Sequence, residues 1–335
     1  MVKKLALLLV LAGVSVTLAP GQTESVRPYL EGSIKHLRER ALLRAKVDWP
    51  VAEAEAFRLA KDADSVEKLA PSLKYLLSLL EDSHGRFFHK GQTIAYWFGE
   101  PTPAQQRIDR EIWKTIQNRQ YPLKSEMIKK KIGYIRVPGL PTGDNNKMSR
   151  DIRGAVCDLA RRGAERWIID LRFNGGGNMY PMMEGLSPLL GEGVIGGVTD
   201  AGGRQISTWK IKDEDFYYDD YQPVDLENDC KLSKPPKIAI LISQYTASSG
   251  EAVAVAFKQR SKTRFFGLQT SGLVTVTDWT PIGTDFVASI SIGYYADRKG
   301  KEYRDSIDPD EVIDFNPADD LATDKSIIAA IKWLK

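Results

Sequence analysis

Two turns and one histidine hold the residue types that acyl-transfer chemistry needs. In Thr246-Ala247-Ser248-Ser249-Gly250-Glu251, two serines stand between the apolar run KIAILIS (237 to 243) and the helix-like stretch GEAVAVAFKQR. A serine there projects its hydroxyl where the positive end of a helix favours developing negative charge, which suits a nucleophile. The same place also suits a serine that only caps the helix. In Asn174-Gly175-Gly176-Gly177-Asn178, three glycines expose backbone N–H groups and permit positive φ, so an oxyanion can be held without a side chain. A glycine-rich turn also arises where two segments merely pack closely. His84, in Asp82-Ser83-His84-Gly85, carries the side chain best suited to move a proton near neutral pH. Spacing alone does not bring it to either serine.

These groups need a scaffold, and the hydrophobic pattern supplies one. From Glu24 to about Asp82 the rhythm is helical, with Leu69, Leu73, Leu76, Leu77 and Leu80 recurring at spacings of three and four. A further amphipathic segment starts at Thr102, with Pro103 near its beginning. After Lys131 strands alternate with helices: IGYIRV (132 to 137), a helix near Met148 to Arg162, WIIDLRF (167 to 173), a helix around Met179 to Leu190, then KIAILIS and its helix. Uninterrupted apolar strands separated by helices predict an α/β core with a buried parallel sheet. Both turns fall at the carboxyl ends of strands, where such sheets bind ligands. Past Arg264 short strands such as VTVTDW and DFVASISIGYY precede a last helix near Asp319 to Leu334.

Composition narrows the class. The chain has 335 residues, 42% hydrophobic and 27% charged, which excludes disorder and coiled coil. A net charge of +3 is too close to balance to argue for nucleic acid or anionic lipid as a partner. Lys3 and Lys4 precede an apolar run from Leu5 to Ala19 and then small residues, the pattern of a signal peptide over residues 1–21. The run is shorter than the roughly 20 residues that span a bilayer, so no stable membrane span is expected. The exported chain, periplasmic or secreted, would begin near Gln22. Cys157 and Cys230 could form one disulfide there, although Cys157 sits in a helical pattern where a small buried apolar residue also fits. His36, His84 and His89 show no metal-ligand spacing, and the phosphate-binding glycine patterns are missing, so no metal or other cofactor is expected. The G-x-S-x-G elbow of α/β-hydrolases is missing too.

In order along the chain, the stretch at Asp82, IGYIRVPGL, DLRFNGGG from Asp170, ILISQYTASSGEAVA, FFGLQTSG and IDPDEVI from Ile307 resemble the tail-specific (C-terminal processing) serine peptidase family. The resemblance covers most of residues 65 to 315. It implies a Clp-protease/crotonase-like core over residues 125–335 and a small helical N-terminal region, 22–124, that carries the Ser-His pair. It also implies a protein or peptide substrate, Ser248 as nucleophile, and an oxyanion hole from the amides of Ser249 and Gly176, with Gly175 and Gly177 as substitutes. In the processing branch of the family a lysine base follows T-x-G, whereas this chain reads Thr270-Ser271-Gly272-Leu273. Ser83 and His84 instead look like the pair of the tricorn-core branch, which implies a Ser-His-Ser-Glu tetrad. Its acid would be Glu302, bridged to His84 by Ser83, with Asp305 in reserve. Only about 35 residues separate Lys90 from Ser125, well short of the roughly 80 that the PDZ domain of many relatives needs. The expectation is a serine peptidase whose activity rises with pH through about 6 to 7, where histidine loses its proton. The alternatives on the same fold are a non-catalytic ligand- or peptide-binding protein and an esterase using the same residues.

Overall fold

A computed structural model describes residues 26–224, 226, 232 and 234–335. The signal peptide expected over residues 1–21 and Cys230, the other half of the disulfide considered above, lie outside the described residues. Cys157 is buried in the helix Asn145–Arg161 and is not a free thiol.

The apolar runs assemble one six-stranded sheet in the order Glu311–Val312, Thr263–Gly267, Lys237–Ile242, Arg166–Asp170, Ile132–Arg136 and Lys124–Lys129. Every pairing is parallel except the last. Ile238, Ile240 and Ile242 enter one core while Ala239 and Leu241 enter another, so the strand is apolar throughout because both of its faces are covered. Helices Asn145–Arg161, Met179–Gly185 and Ser249–Phe257 contribute to the first core, and Lys325–Leu334 closes the second. That last helix starts at Lys325 rather than near Asp319. Asp324 caps it, accepting from Ser326 N (2.9 Å) and Ile327 N (3.2 Å).

A second sheet runs Gln92–Tyr96, Arg86–His89, Phe286–Asp297, Gly193–Thr199, Gln205–Lys212, Asp215–Tyr218, with Thr275–Gly283 also paired to Phe286–Asp297. The N-terminal region is therefore not helices alone: after Arg27–Arg40, Trp49–Leu59 and Ala70–Leu79 it adds two strands to this sheet. All five leucines of the expected stripe are buried, packed with Phe87, Phe286, Ala288 and Ile290. The His84 turn is thereby fixed between a helix and a strand that share one core. The Thr102 segment forms two helices, Pro103–Gln106 and Arg110–Gln117, because Asp109 caps the second by accepting from Glu111 N (2.9 Å). Among the described residues no helix is long and apolar enough to cross a membrane. The α/β core with a helical N-terminal region is the architecture expected from the sequence.

Candidate active site

Ser248 joins the buried strand Lys237–Ile242 to the helix Ser249–Phe257, with φ 52° and ψ −118°. A residue with a Cβ is strained there, so neighbouring bonds must hold it. Ala247 N donates to Asn174 O (3.0 Å), Thr246 Oγ1 to Leu171 O (2.8 Å) and Ser243 Oγ to Arg172 O (2.6 Å). The serine turn is thus laced to the residues that lead into the glycine turn. It is the Ser248 carbonyl that accepts Glu251 N (2.8 Å) and Ala252 N (2.9 Å) to start the helix. The Ser249 hydroxyl donates to Gly177 O, whereas the Ser248 side chain faces a cleft beside the Tyr295 phenol.

Gly176 and Gly177 both have φ of 105°. A Cβ on Gly176 would lie 2.8 Å from Ser248 Cβ, so the glycine lets the turn approach the serine. Its N–H, however, is donated to Asn174 Oδ1 (3.0 Å), while Gly177 lines the cleft with Ser248 and Ser249.

Glu251 is fully buried one helical turn from Ser248. Its carboxylate accepts from Ser248 N (2.8 Å), Thr270 Oγ1 (2.6 Å), Gly272 N (2.9 Å) and Leu273 N (2.9 Å). Burial pushes its pKa up to about 7, against the pull of these four donors. Leu273, at the place where the processing branch has its lysine, gives its amide to this clamp. Glu251→Ala would strand four donors, the buried Thr270 hydroxyl and three partly buried amides, and open a cavity, so it is expected to lower stability by about 4 kcal/mol in denaturant unfolding. A loss below about 1 kcal/mol would mean that the clamp is dispensable.

Asp82 shapes the histidine turn. Its Oδ1 accepts from His84 N (3.2 Å) and Gly85 N (2.8 Å), an Asx turn. The ring of His84 then leads into a relay: Nδ1 is 2.9 Å from Thr275 Oγ1, which is 2.9 Å from Ser291 Oγ. Ser291 Oγ donates to Asp82 Oδ1 (2.7 Å) and Ser291 N to Asp82 Oδ2 (2.9 Å). Each hydroxyl has one proton and an ionised carboxylate only accepts, so the direction is fixed. Ser291 donates to Asp82, Thr275 to Ser291, and His84 Nδ1–H to Thr275. The bare, basic nitrogen is therefore Nε2. Burial pulls the pKa of His84 down to about 4; Asp82 opposes the shift and Arg86 adds to it.

The expected bridge from Ser83 to Glu302 is not formed. The Glu302 carboxylate receives Arg304 Nε (2.8 Å), in a segment where Glu302 forms a β-bridge with Ala296. Asp305 accepts from Ala104 N (3.0 Å) near the start of Pro103–Gln106. Ser83 uses its carbonyl to take Arg86 Nη1 (2.9 Å) and lines a cavity behind His84. What the structure brings together is Ser248, Ser249, Gly177 and His84, around one cleft of about 800 Å³. Asp82, Thr275, Ser291, Glu251 and Tyr295 complete the surroundings. Of these, the Asx-turn spacing of Asp82 to Gly85 was the one readable signal. Among the described residues no three His, Cys, Asp or Glu side chains gather where they could hold a metal ion.

The family model described as Peptidase family S41 matches residues 131–313. The Nisin-resistance protein of Lactococcus lactis subsp. lactis is 22% identical over 324 residues, 93% of this chain and 87% of that protein. The chloroplastic Carboxyl-terminal-processing peptidase 2 of Arabidopsis thaliana is 30% identical over 142 residues, 42% of this chain and 24% of that protein. Among solved structures, a lipoprotein from Streptococcus agalactiae superposes with a TM-score of 0.70 at 20% identity, covering 96% of this chain and 99% of that one. A photosystem II D1 C-terminal processing protease gives a TM-score of 0.57 at 14% identity, covering 87% and 93%. At these identities the structures share the fold.

Proposed function

The chain belongs to peptidase family S41, and from that membership we propose that it is an exported serine peptidase working by acyl transfer at Ser248. His84 Nε2 takes the proton of Ser248 Oγ as that oxygen attacks the carbonyl of a peptide bond. The oxyanion is held by the amides of Ser249 and Gly177, since the Gly176 amide is engaged by Asn174. His84 then gives the proton to the leaving amine, and water releases the acyl group by the same steps in reverse. Thr275 and Ser291 connect the imidazolium to the Asp82 carboxylate, which orients the ring and supports its transient charge. Export is supported by the Lys3-Lys4 start and its apolar run, and by the likeness to a protein described as a lipoprotein.

The observation that carries this reading is the relay that holds the Nδ1 side of His84 in the cleft that Ser248 lines. On this reading Asp82, rather than Glu302, is the acid. Asp82→Asn and Thr275→Val are each expected to lower kcat/KM for peptide hydrolysis by about a hundredfold, with Glu302→Gln within twofold of wild type. Thermal melts of each variant separate lost chemistry from lost folding. The opposite ranking, a crippled Glu302→Gln beside active Asp82→Asn and Thr275→Val, would restore the Ser83–Glu302 arrangement.

A further inference from the structure

Trp279 is 57% exposed, although few side chains gain more from burial. Its ring stacks on Phe88 with centroids 4.9 Å apart and planes 20° from parallel. Both residues line the cleft that holds Ser248 and His84. They come from Arg86–His89 and Thr275–Gly283, which flank the same strand: Phe88 pairs with Val287 and Trp279 with Ser289. The stack therefore bridges that strand as an apolar platform beside the catalytic groups.

Which part of a substrate meets the platform follows from the chemistry proposed above, on which this inference rests. His84 hands its proton to the leaving amine, so the amine side of the scissile bond must pass His84. Phe88 lies four residues beyond His84, and Trp279 four residues beyond Thr275, the partner of the His84 ring. Neighbouring Asp278 is already engaged by Thr280 Oγ1 (2.9 Å) and Arg40 Nε (3.4 Å), so the platform presents ring faces rather than a free charge. We propose that the Phe88–Trp279 stack is a specificity subsite for a bulky apolar or aromatic side chain on the amine side of the bond that is cut.

The test uses two quenched fluorescent peptides that differ only in the residue after the cut, Phe or Ala, with the mature chain as enzyme. The wild-type protein is expected to favour Phe by about tenfold or more in kcat/KM. Trp279→Ala should cut the rate on the Phe peptide about ten times more than on the Ala peptide, mostly through KM, and Trp279→Phe should keep most of the preference. Equal losses on both peptides, no wild-type preference, or a preference for Lys or Arg at that position would overturn the subsite. Fluorophosphonate labelling of Ser248 on the same protein tells the failures apart. A labelled enzyme with no side-chain preference sinks the subsite alone, and an unlabelled one sinks the chemistry and the subsite with it.

Discussion

Ser248→Ala is expected to lower kcat/KM for peptide hydrolysis by about 10⁴-fold or more. The variant loses the attacking oxygen, and nothing nearby replaces it: the adjacent hydroxyl, on Ser249, is donated to Gly177 O inside the turn. What survives is transition-state binding by the amides, which in triad enzymes leaves a small residual rate over water. Folding should survive too, because the Ser248 groups that hold the helix start are its carbonyl, accepting Glu251 N and Ala252 N, and its N–H, donated to Glu251 Oε2. An unchanged melting temperature beside lost turnover is the expected pair of measurements. Turnover within tenfold of wild type would remove Ser248 from the nucleophile's role.

His84→Ala is expected to cost about 10³-fold in kcat/KM, since the serine then has no base. The pH profile of the wild-type protein carries the second half of this prediction. A base works when neutral, and burial pulls His84 down to about 4, so it is already neutral at pH 6. The histidine-dependent limb of kcat/KM should therefore lie well below the ordinary histidine range, with activity falling only as pH drops toward 4. This revises the rise through pH 6 to 7 expected from histidine chemistry alone, and the cause is desolvation. Glu251, by contrast, is raised to about 7 by burial. A limb near pH 7 that moves in Glu251→Gln belongs to the clamp. One that persists there and disappears in His84→Ala would show a solvated histidine and contradict the buried relay.

The parts of this site legible in the sequence are those built by neighbours along the chain. The serine turn was readable because a buried strand, a small-residue turn and an apolar helix follow one another from Lys237 to Phe257, with Ser248 chosen over Ser249 only by the family resemblance, and the glycine turn because glycine is what positive φ demands. The relay was not readable. Thr275 and Ser291 reach His84 and Asp82 from strands 191 and 209 residues away, and a threonine or serine on a strand is too common to stand out. Asp82 lay beside the histidine and had the spacing of an Asx turn, but its second oxygen meets Ser291 N only through tertiary packing. Glu302 illustrates the converse. It sits in the charged run Arg298 to Asp305, where a resemblance can assign an acid, yet the local chain spends its carboxylate on Arg304. For the proposed oxyanion hole one side chain separates the two glycines: the Asn174 oxygen takes the Gly176 N–H, while Gly177 lines the cleft.

The proposed mechanism requires Ser248 to be an activated nucleophile, and the most direct measurement is fluorophosphonate treatment of the purified mature protein followed by peptide mass spectrometry. The expected result is one adduct, on Ser248, formed at pH 7 and much slowed in His84→Ala. An adduct on Ser249, or no adduct on folded wild-type protein, would contradict it.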